Sequence, residues 1–497
     1  MRIKAAAVLA CAITAAFAVQ AEDGVLPPAM VKNCRVLTGD IYANGASLEL
    51  LGHIADDFGP RLSGSQNYER AVAWAAYRFH AMGIKDVRLE PVVLHHGWQR
   101  GRAEATLIGP QPRSLHVAAF GWSPPTAAGG LRAPVTFLTD STDAAIEQAH
   151  VKGTIVLVDR LAFTGPVAFQ NSTVEDFERQ RRYDTIDKRL QEAGALALLV
   201  YTKTVNQVLR TSDPVPEGEA LALPMGSIGR EDALLLQRQT QHGPVEMDLH
   251  LDTTLTGPVT LNNVIAELRG ASKSPEVVMM GAHLDSWDLG TGAQDNGSGV
   301  AQVMDAARAL AALPTPPKRT LRFALWASEE QGLNGSMAYV RAHGAEMKNV
   351  VAYLNTDSGA GRPLGWNVSG RSDTEHALQP LTTTLARLGG SGVTQDLQFD
   401  TDSGSFLIAG VPALNLNVVD DQYDTVLHHK PADTLDKVDA HDLAAGAAML
   451  AVTAYVFADV DTRPAPRLSW PAVQDLLKKG GALEYVTSSN MKDLWQP

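Results

Sequence analysis

Residues 277–288 have the sequence VVMMGAHLDSWD, in which an apolar run ends at His283 and is followed by Asp285 and Asp288. A short apolar run of this kind is typical of a strand that is buried on both faces of a sheet. In open α/β sheets, ligands bind beyond the carboxyl ends of the strands. His283 and Asp285 are therefore candidate functional residues, although a lone histidine at a strand end more often has a structural role.

Strand-like and helix-like segments alternate on both sides of this stretch. Strands are predicted at Val264–Leu268, Val277–Ala282, Leu321–Trp326, Val350–Leu354 and Ala413–Val418. Helices are predicted at Tyr68–Met82, Ser298–Leu313, Ser336–His343, Thr374–Leu388 and Ala440–Phe457. This alternation predicts an α/β fold with a mixed, mostly parallel central sheet that is flanked by helices on both faces.

The region between the first helices and this sheet has a different pattern. It contains short β-branched runs at Val135–Leu138, Thr154–Val158 and Leu196–Tyr201, with a helix predicted near Asp184–Glu192. We therefore expect a β-rich domain inserted at 111–256. The other expected divisions are a signal peptide at 1–21, a propeptide or N-terminal arm at 22–45, the main domain at 46–110 and 257–462, and a C-terminal tail at 463–497.

The N-terminal residues predict export. Arg2 and Lys4 precede the apolar segment Ala5–Val19, and small residues up to Ala21 offer a cleavage site. This is the pattern of a signal peptide, so the protein is expected in the periplasm or outside the cell. A lipoprotein cleavage before Cys11 is a weaker alternative.

Composition restricts the partners further. The 497 residues contain 42 Lys and Arg against 55 Asp and Glu, which gives a formal net charge of −13. This balance argues against nucleic acid, which rewards clustered positive charge. We expect no later membrane-spanning segment, and with Cys34 as the one cysteine after the signal peptide we expect no internal disulfide.

Acids and histidines follow several of the predicted strands. They are Asp295 in GAQDNGSG (292–299), the pair Glu329 and Glu330, Asp357, and the pair His428 and His429. Each has an ordinary explanation by itself, such as a helix cap for Asp295 or a solvated loop for the others. Together they bring two histidines and several carboxylates to the strand ends of one sheet. A mixed set of this kind suits zinc, and shared carboxylates suit a two-metal centre.

Taken together, these motifs resemble a known family. The motifs are GPRLSGS (59–65), HLDSWD (283–288), Asp295, ASEEQG (327–332), Asp357, AGVP (409–412) and HKPADT (429–434). In this order they resemble the co-catalytic zinc exopeptidases of the bacterial leucyl aminopeptidase and glutamate carboxypeptidase group, and within it the plasma glutamate carboxypeptidase branch. The resemblance extends from about residue 48 to 460. Residues 153–160 and 193–195 resemble a protease-associated domain.

The resemblance implies two zinc ions and their ligands. By position, His283 and Asp357 hold one ion, Glu330 and His429 hold the other, and Asp295 bridges them. In the family the ligand histidine lies four positions before the Asp of an Asp-Thr pair, and here Asp433 selects His429 over His428.

The resemblance also implies the other roles in the site. Glu329 is the general base, and Asp285 orients the ring of His283. The free amino terminus of a substrate is expected to meet a metal ion and nearby acids, for which Asp402 is a candidate.

The expected function is that of an exported zinc-dependent exopeptidase, a homodimer that hydrolyses dipeptides or short peptides with a free N-terminus. Glu329 takes the proton of the zinc-activated water. An aminopeptidase acting on longer peptides is an alternative, and so is a single-zinc acyltransferase similar to glutaminyl cyclase. A non-catalytic receptor of the same fold is disfavoured because all five ligand positions and the base are present.

Overall fold

The computed structural model describes residues 26–138, 142–159, 188–202, 204–212, 216–420 and 422–497. The predicted signal peptide at 1–21, including Cys11, lies outside these residues. So does the first part of the helix predicted near Asp184–Glu192, whereas residues 188–192 are helical.

The strands of the described residues are β1 Asp86–Leu94, β2 Trp98–Gln99, β3 Ala103–Ile108, β4 Arg113–Leu115, β5 Val117–Ala119, β6 Leu131–Leu138, β7 Ile155–Asp159, β8 Ala197–Tyr201, β9 Met225–Ile228, β10 Glu246–Leu251, β11 Thr254–Leu255, β12 Val259–Leu268, β13 Lys273–His283, β14 Arg319–Trp326, β15 Val350–Asn355, β16 Pro363–Asn367, β17 Gly392–Thr394 and β18 Ala413–Val418. The α-helices are α1 Pro28–Asn44, α2 Ser47–Gly52, α3 Gln66–Ala81, α4 Asp143–Gln148, α5 Arg230–Thr240, α6 Ser298–Ala311, α7 Asn334–Ala342, α8 Ser372–Leu378, α9 Thr382–Ala386, α10 Asp402–Ile408, α11 Ala440–Asp459, α12 Trp470–Lys479 and α13 Leu483–Ser488.

The central sheet has eight strands in the order β1-β12-β14-β13-β15-β18-β16-β17. Strands β14, β13, β15 and β18 run parallel to one another, and β16 runs parallel to β17. The pairs β1–β12, β12–β14 and β18–β16 are antiparallel. The expectation of a mixed, mostly parallel sheet is therefore confirmed, and the five strands predicted for it are present.

Helices cover both faces of this sheet. Met280 and Leu354 point into one apolar layer, which they share with α1, α6 and α11. The adjacent residues Met279 and Tyr353 point into a second layer, which they share with α7, α10 and α12. Successive side chains of a strand point to opposite faces, so a strand in this position is apolar throughout. This explains the continuous apolar runs in the sequence.

The weakly patterned segment at 22–45 contains a helix. Within α1, Met30, Cys34, Leu37 and Ile41 recur at helical spacing and are buried against the core that contains α11. Cys34 is a free, buried thiol. Helix α1 is thus part of the main hydrophobic core.

A second eight-stranded sheet lies between β1 and β12 in the chain. Its order is β4-β3-β10-β6-β7-β8-β9-β5. Its first strand, β3, begins at Ala103, ahead of the boundary expected at 111. Leu94 at the end of β1 pairs with Val259 at the start of β12, so the chain leaves and rejoins the central sheet at adjacent points. The assignment of this region to the protease-associated class stays a prediction.

The helix predicted at Thr374–Leu388 is wrong as a continuous element. It divides into α8, a 3₁₀ turn at Gln379–Leu381, and α9. Pro380 lies in this turn, and proline cannot donate the backbone hydrogen bond that a continuous helix needs.

Helix α11 corrects another expectation, because it is long and apolar enough by length and composition to cross a bilayer. In the fold, 78% of its most apolar 18-residue window is buried. It packs against α1, α2, α6 and the central sheet, which accounts for its apolar composition.

Candidate metal centre

Three neighbouring parallel strands bring the first candidate residues together. His283 is the last residue of β13, Glu329 and Glu330 follow β14, and Asp357 follows β15. Because the carboxyl ends of parallel strands lie at the same edge of a sheet, these residues meet there despite their separation in sequence.

Two loops supply the other candidates. Asp295 lies in the buried turn Ala293–Gly297, which leads directly into α6. His429 follows the turn Tyr423–Leu427 and has a φ of 61°, a left-handed conformation. Such values are uncommon for residues other than glycine, so the surrounding structure must hold His429 in place.

His283 has carboxylates on the Nε2 side of its ring. Nε2 lies 3.1 Å from Oδ1 of Asp357, 3.4 Å from Oδ1 of Asp295 and 4.0 Å from Oε2 of Glu329. The side chain of His283 is 1% exposed. The cluster is therefore buried at this end.

His429 forms the opposite end of the cluster. Its Nε2 lies 2.9 Å from Oε2 of Glu330 and 3.4 Å from Oδ2 of Asp295. His428 packs against the ring of His429, and its Nε2 lies 3.7 Å from the same Asp295 oxygen. The two oxygens of Asp295 thus face different histidines, His283 on one side and His429 on the other.

The donor set fits metal ions. Potential ligand atoms lie within 4.8 Å of one another in three overlapping groups: His283, Glu329 and Asp357; His283, Asp295 and Glu330; and Asp295, His428 and His429. Oδ2 of Asp295 and Oε1 of Glu330 are buried without a hydrogen-bond partner in the part of the chain that is described. Buried carboxylates with free lone pairs are costly unless a cation meets them. Imidazole nitrogens and carboxylate oxygens are ligands that zinc accepts.

The ionisation of these groups reflects the crowding of acids. Burial, with smaller contributions from neighbouring carboxylates, raises the pKa of Glu329 and of Glu330 well above the usual range. Burial lowers the pKa of His283, but the carboxylates of Asp357 and Glu329 outweigh it and raise that pKa well above its usual value. The crowded carboxylates therefore favour a bound cation or a protonated side chain at this site.

Asp285 lies beside the ring of His283, and the expectation that its side chain orients this ring stays a prediction. Nδ1 of His283 is 3.0 Å from the backbone carbonyl oxygen of Asp285, whereas the carboxylate oxygen lies at 3.6 Å. That carboxylate instead accepts hydrogen bonds from the backbone N–H of Glu329 at 3.1 Å, from that of Glu330 at 3.3 Å, and from the hydroxyl of Ser63 at 3.0 Å. The Asp285 side chain therefore fixes the loop that carries the two glutamates.

Asp433 and Arg61 contact the site in ways that sequence reasoning missed. The carboxylate of Asp433 accepts hydrogen bonds from the backbone N–H of Gln294 at 2.7 Å and from that of Asp295 at 3.1 Å. The fully buried Arg61 donates to backbone carbonyls on the loop between His283 and Asp295, among them those of Leu284, Thr291 and Gly292. Both residues occur in the motifs quoted above, but there Asp433 was used only to choose His429 over His428 as the ligand.

Asp402 begins α10 and is buried beside the cluster. Neither carboxylate oxygen has a hydrogen-bond partner among the described residues. Burial, together with the nearby Asp357, raises its pKa to about 8. The charge of Asp402 is one of those that raise the pKa of Glu329.

Histidines and carboxylates that meet at the strand ends of an α/β sheet are typical of metal-dependent hydrolases, and this protein belongs to that class. The model of "Peptidase family M28" matches residues 263–458. Carboxypeptidase Q of Mus musculus is 31% identical over 426 residues, which cover 84% of this chain and 86% of that protein. The chain therefore belongs to peptidase family M28 and is a metallopeptidase, as the motifs predicted.

Solved structures agree with this assignment. The peptidase M28 precursor from Shewanella amazonensis SB2B superposes with a TM-score of 0.76 at 29% identity, over 88% of this chain and 100% of that chain. BSAP, a zinc aminopeptidase from Bacillus subtilis, has the same fold, with a TM-score of 0.63 at 23% identity over 85% and 97% of the two chains.

Proposed function

We propose that this metallopeptidase is an exported two-zinc exopeptidase that hydrolyses dipeptides and short peptides with a free N-terminus. The observation that carries the proposal is the position of Asp295, whose two oxygens lie 3.4 Å from His283 and 3.4 Å from His429. One carboxylate between two separate histidines is the arrangement expected of a bridging ligand.

In this proposal the two ends of the cluster hold one ion each. His283 and Asp357 bind the first, Glu330 and His429 bind the second, and Asp295 contacts both. The 2.9 Å separation of Nε2 of His429 from Glu330 supports His429 as the ligand, whereas Nε2 of His428 lies 3.7 Å from Asp295.

Glu329 is the proposed general base. When bound, zinc lowers the pKa of a water molecule and polarises the scissile carbonyl. Glu329 accepts the proton of the attacking water and returns it to the leaving amine. The hydrogen bond from its backbone N–H to Asp285 fixes the loop that carries this carboxylate.

Contacts with the second sheet support a restriction to short substrates. The N–H of Thr211 donates to the carbonyl of His429 at 3.0 Å, and Nη2 of Arg210 lies 3.3 Å from Nδ1 of the same histidine. On the Glu329 side, the N–H of Glu217 donates to the carbonyl of Gln331 at 2.9 Å. Arg210, Thr211 and Glu217, which lie between β8 and β9 of the second sheet, therefore contact the loops that carry the histidines and the glutamates, where they would limit substrate length.

The free amino terminus is the second proposed selector. Asp402 offers two unpartnered carboxylate oxygens beside Glu329 and Asp357, so it can pair with an ammonium group. Export is proposed from the basic residues Arg2 and Lys4 followed by the apolar segment Ala5–Val19.

A substrate panel tests the proposal. The zinc-loaded protein is given a dipeptide, its N-acetylated form, its C-terminal amide and a ten-residue peptide at equal concentration. We expect the free dipeptide to be cleaved fastest, and acetylation to slow cleavage roughly 10- to 100-fold, the effect of losing a hydrogen bond to a charged group. The zinc content of the same sample should be two ions per chain.

Each other outcome selects a different function. Stepwise shortening of the ten-residue peptide from its N-terminus, as fast as cleavage of the dipeptide, would identify an aminopeptidase on longer chains. Equal cleavage of the acetylated dipeptide would contradict the proposed amino-terminal recognition. One zinc per chain without hydrolysis would favour the acyltransferase alternative.

A further inference from the structure

An ion pair joins the segment before β3 of the second sheet to the loop that follows His283. Arg100, which precedes β3, binds the carboxylate of Asp288 with both Nε, at 2.8 Å, and Nη2, at 2.6 Å. The two side chains are only 16% and 12% exposed. A two-point contact of this kind between guanidinium and carboxylate is strong and fixes orientation.

Arg100 reaches His429 through one intermediate residue. Nη2 of Arg100 also donates to Oγ1 of Thr211 at 3.0 Å, and Nη1 donates to the carbonyl of Ala119. Thr211 is fully buried, and its backbone N–H donates to the carbonyl of His429 at 3.0 Å. Two successive hydrogen bonds thus connect the ion pair to a proposed zinc ligand.

His429 needs such support. Its left-handed backbone conformation is held by neighbours and not by its own preference. The ring of Trp287, next to Asp288, packs edge-on against the ring of His429 with centroids 5.8 Å apart. On its other side Trp287 contacts Trp122, which precedes β6 in the second sheet, at 6.4 Å. Both the backbone and the ring of His429 therefore depend on residues supplied by the inserted region.

We infer that Arg100 is a positioning residue for His429, so that zinc affinity at the Glu330–His429 position depends on the second sheet. The inference rests on the proposed function. The other position should depend less on Arg100, because His283 and Asp357 lie at the ends of central-sheet strands, Nδ1 of His283 is bonded to the backbone of Asp285, and Asp288 lies further along the loop. Loss of the Arg100 contact should therefore weaken the zinc ion at Glu330 and His429 far more than the other ion.

The test compares zinc binding in three single variants of the full chain and in the double variant of Arg100→Ala with Thr211→Val. Arg100→Ala removes the ion pair, and Thr211→Val removes only the hydroxyl that accepts from Arg100. Arg102→Ala is the matched control, because Arg102 pairs with Asp252 on the exposed surface nearby. Both zinc dissociation constants are measured by competition with a chromophoric chelator. Visible absorption of the cobalt(II)-substituted protein reports the ligand geometry, and melting temperature reports folding.

We expect Arg100→Ala to weaken the second zinc ion about 10- to 100-fold, the usual effect of losing a group that orients a ligand. Thr211→Val should weaken the same ion, and the double variant should lose no more than Arg100→Ala alone. The cobalt spectrum should change in both single variants. Arg102→Ala should match the unaltered protein in every measurement.

Unchanged zinc constants in a folded Arg100→Ala or Thr211→Val variant would overturn the inference, and so would an equal loss of both ions. If Arg100→Ala fails to fold, Thr211→Val decides, since it preserves side-chain shape and the backbone N–H. If the unaltered protein itself binds fewer than two ions, the proposed function fails instead.

Discussion

Glu329 and Glu330 are adjacent in the chain but lie near different histidines. Oε2 of Glu330 is 2.9 Å from His429, whereas Oε2 of Glu329 is 4.0 Å from His283. We predict that Glu329→Gln lowers kcat by about two or more orders of magnitude, the effect of losing a general base, while two zinc ions stay bound. Steady-state kinetics together with zinc analysis of the same preparation measures both.

Glu330→Gln is the matched control for this prediction. This variant makes the same chemical change one residue away. It should bind one zinc ion fewer, because Glu330 is a proposed ligand. Loss of a zinc ion from Glu329→Gln would show that Glu329 binds metal. The test is needed because Glu329 lies in one cluster with His283 and Asp357.

The paired histidines give a second prediction at the level of single residues. His429 contacts both Glu330 and Asp295, and His428 contacts Asp295 from 3.7 Å. We predict that His429→Ala binds one zinc ion and that His428→Ala binds two. Zinc analysis after dialysis against metal-free buffer distinguishes them. The reverse pattern would shift the assignment of the ligand by one residue.

At the level of elements, the sequence was most informative where one physical signal dominates. The strands of the central sheet are buried on both faces, so β13, β14 and β15 appear as uninterrupted apolar runs. Parallel strands bring their carboxyl ends to one edge, and this made a cluster of His283, Glu330 and Asp357 predictable from three distant segments.

Elements with competing signals were predicted less well. Pro380 divides a segment that is otherwise patterned as one helix. In α1 the apolar residues Val36 and Tyr42 are exposed, which weakens the spacing pattern of its buried residues. The start of the second sheet was misplaced because β3 has mixed polarity, with Glu104 exposed and Ala105 buried.

Hydrogen bonds between distant residues leave no signal in a single sequence. The backbone N–H groups of Asp295 and Glu329 donate to the carboxylates of Asp433 and Asp285, and these bonds depend on how the loops pack. The same holds for the contact between Thr211 and His429, which joins two separate sheets. Residue types could therefore indicate the ligands, but they could not indicate what holds the ligands in place.

At the scale of the whole molecule, the acid cluster couples folding to metal and to pH. Burial raises the pKa of Asp402 to about 8 and that of Asp433 to about 7. An acid with a raised pKa in the folded state binds a proton more tightly there than in the unfolded chain, so its contribution to stability is lost as pH rises through the folded pKa. The raised pKa of His283 acts in the same direction. The lowered pKa of Asp295 opposes the trend only below about pH 4, where that carboxyl titrates.

We therefore predict that the metal-free protein loses stability between pH 5 and 8, by up to about 1.4 kcal/mol per pH unit for each acid that titrates. Zinc should reverse the trend, because it pairs with the proposed ligand acids Glu330 and Asp357, whose pKa values burial also raises, and it binds more tightly once these ligands are deprotonated. At a free zinc concentration of 100 Kd, each ion adds about 2.7 kcal/mol to the free energy of unfolding.

Melting temperatures across this pH range, with chelator and with zinc, should thus diverge as pH increases. Replacing Asp402 with Asn should flatten the metal-free curve, since the amide cannot ionise. Parallel curves with and without zinc would mean that the buried acids are not the metal ligands.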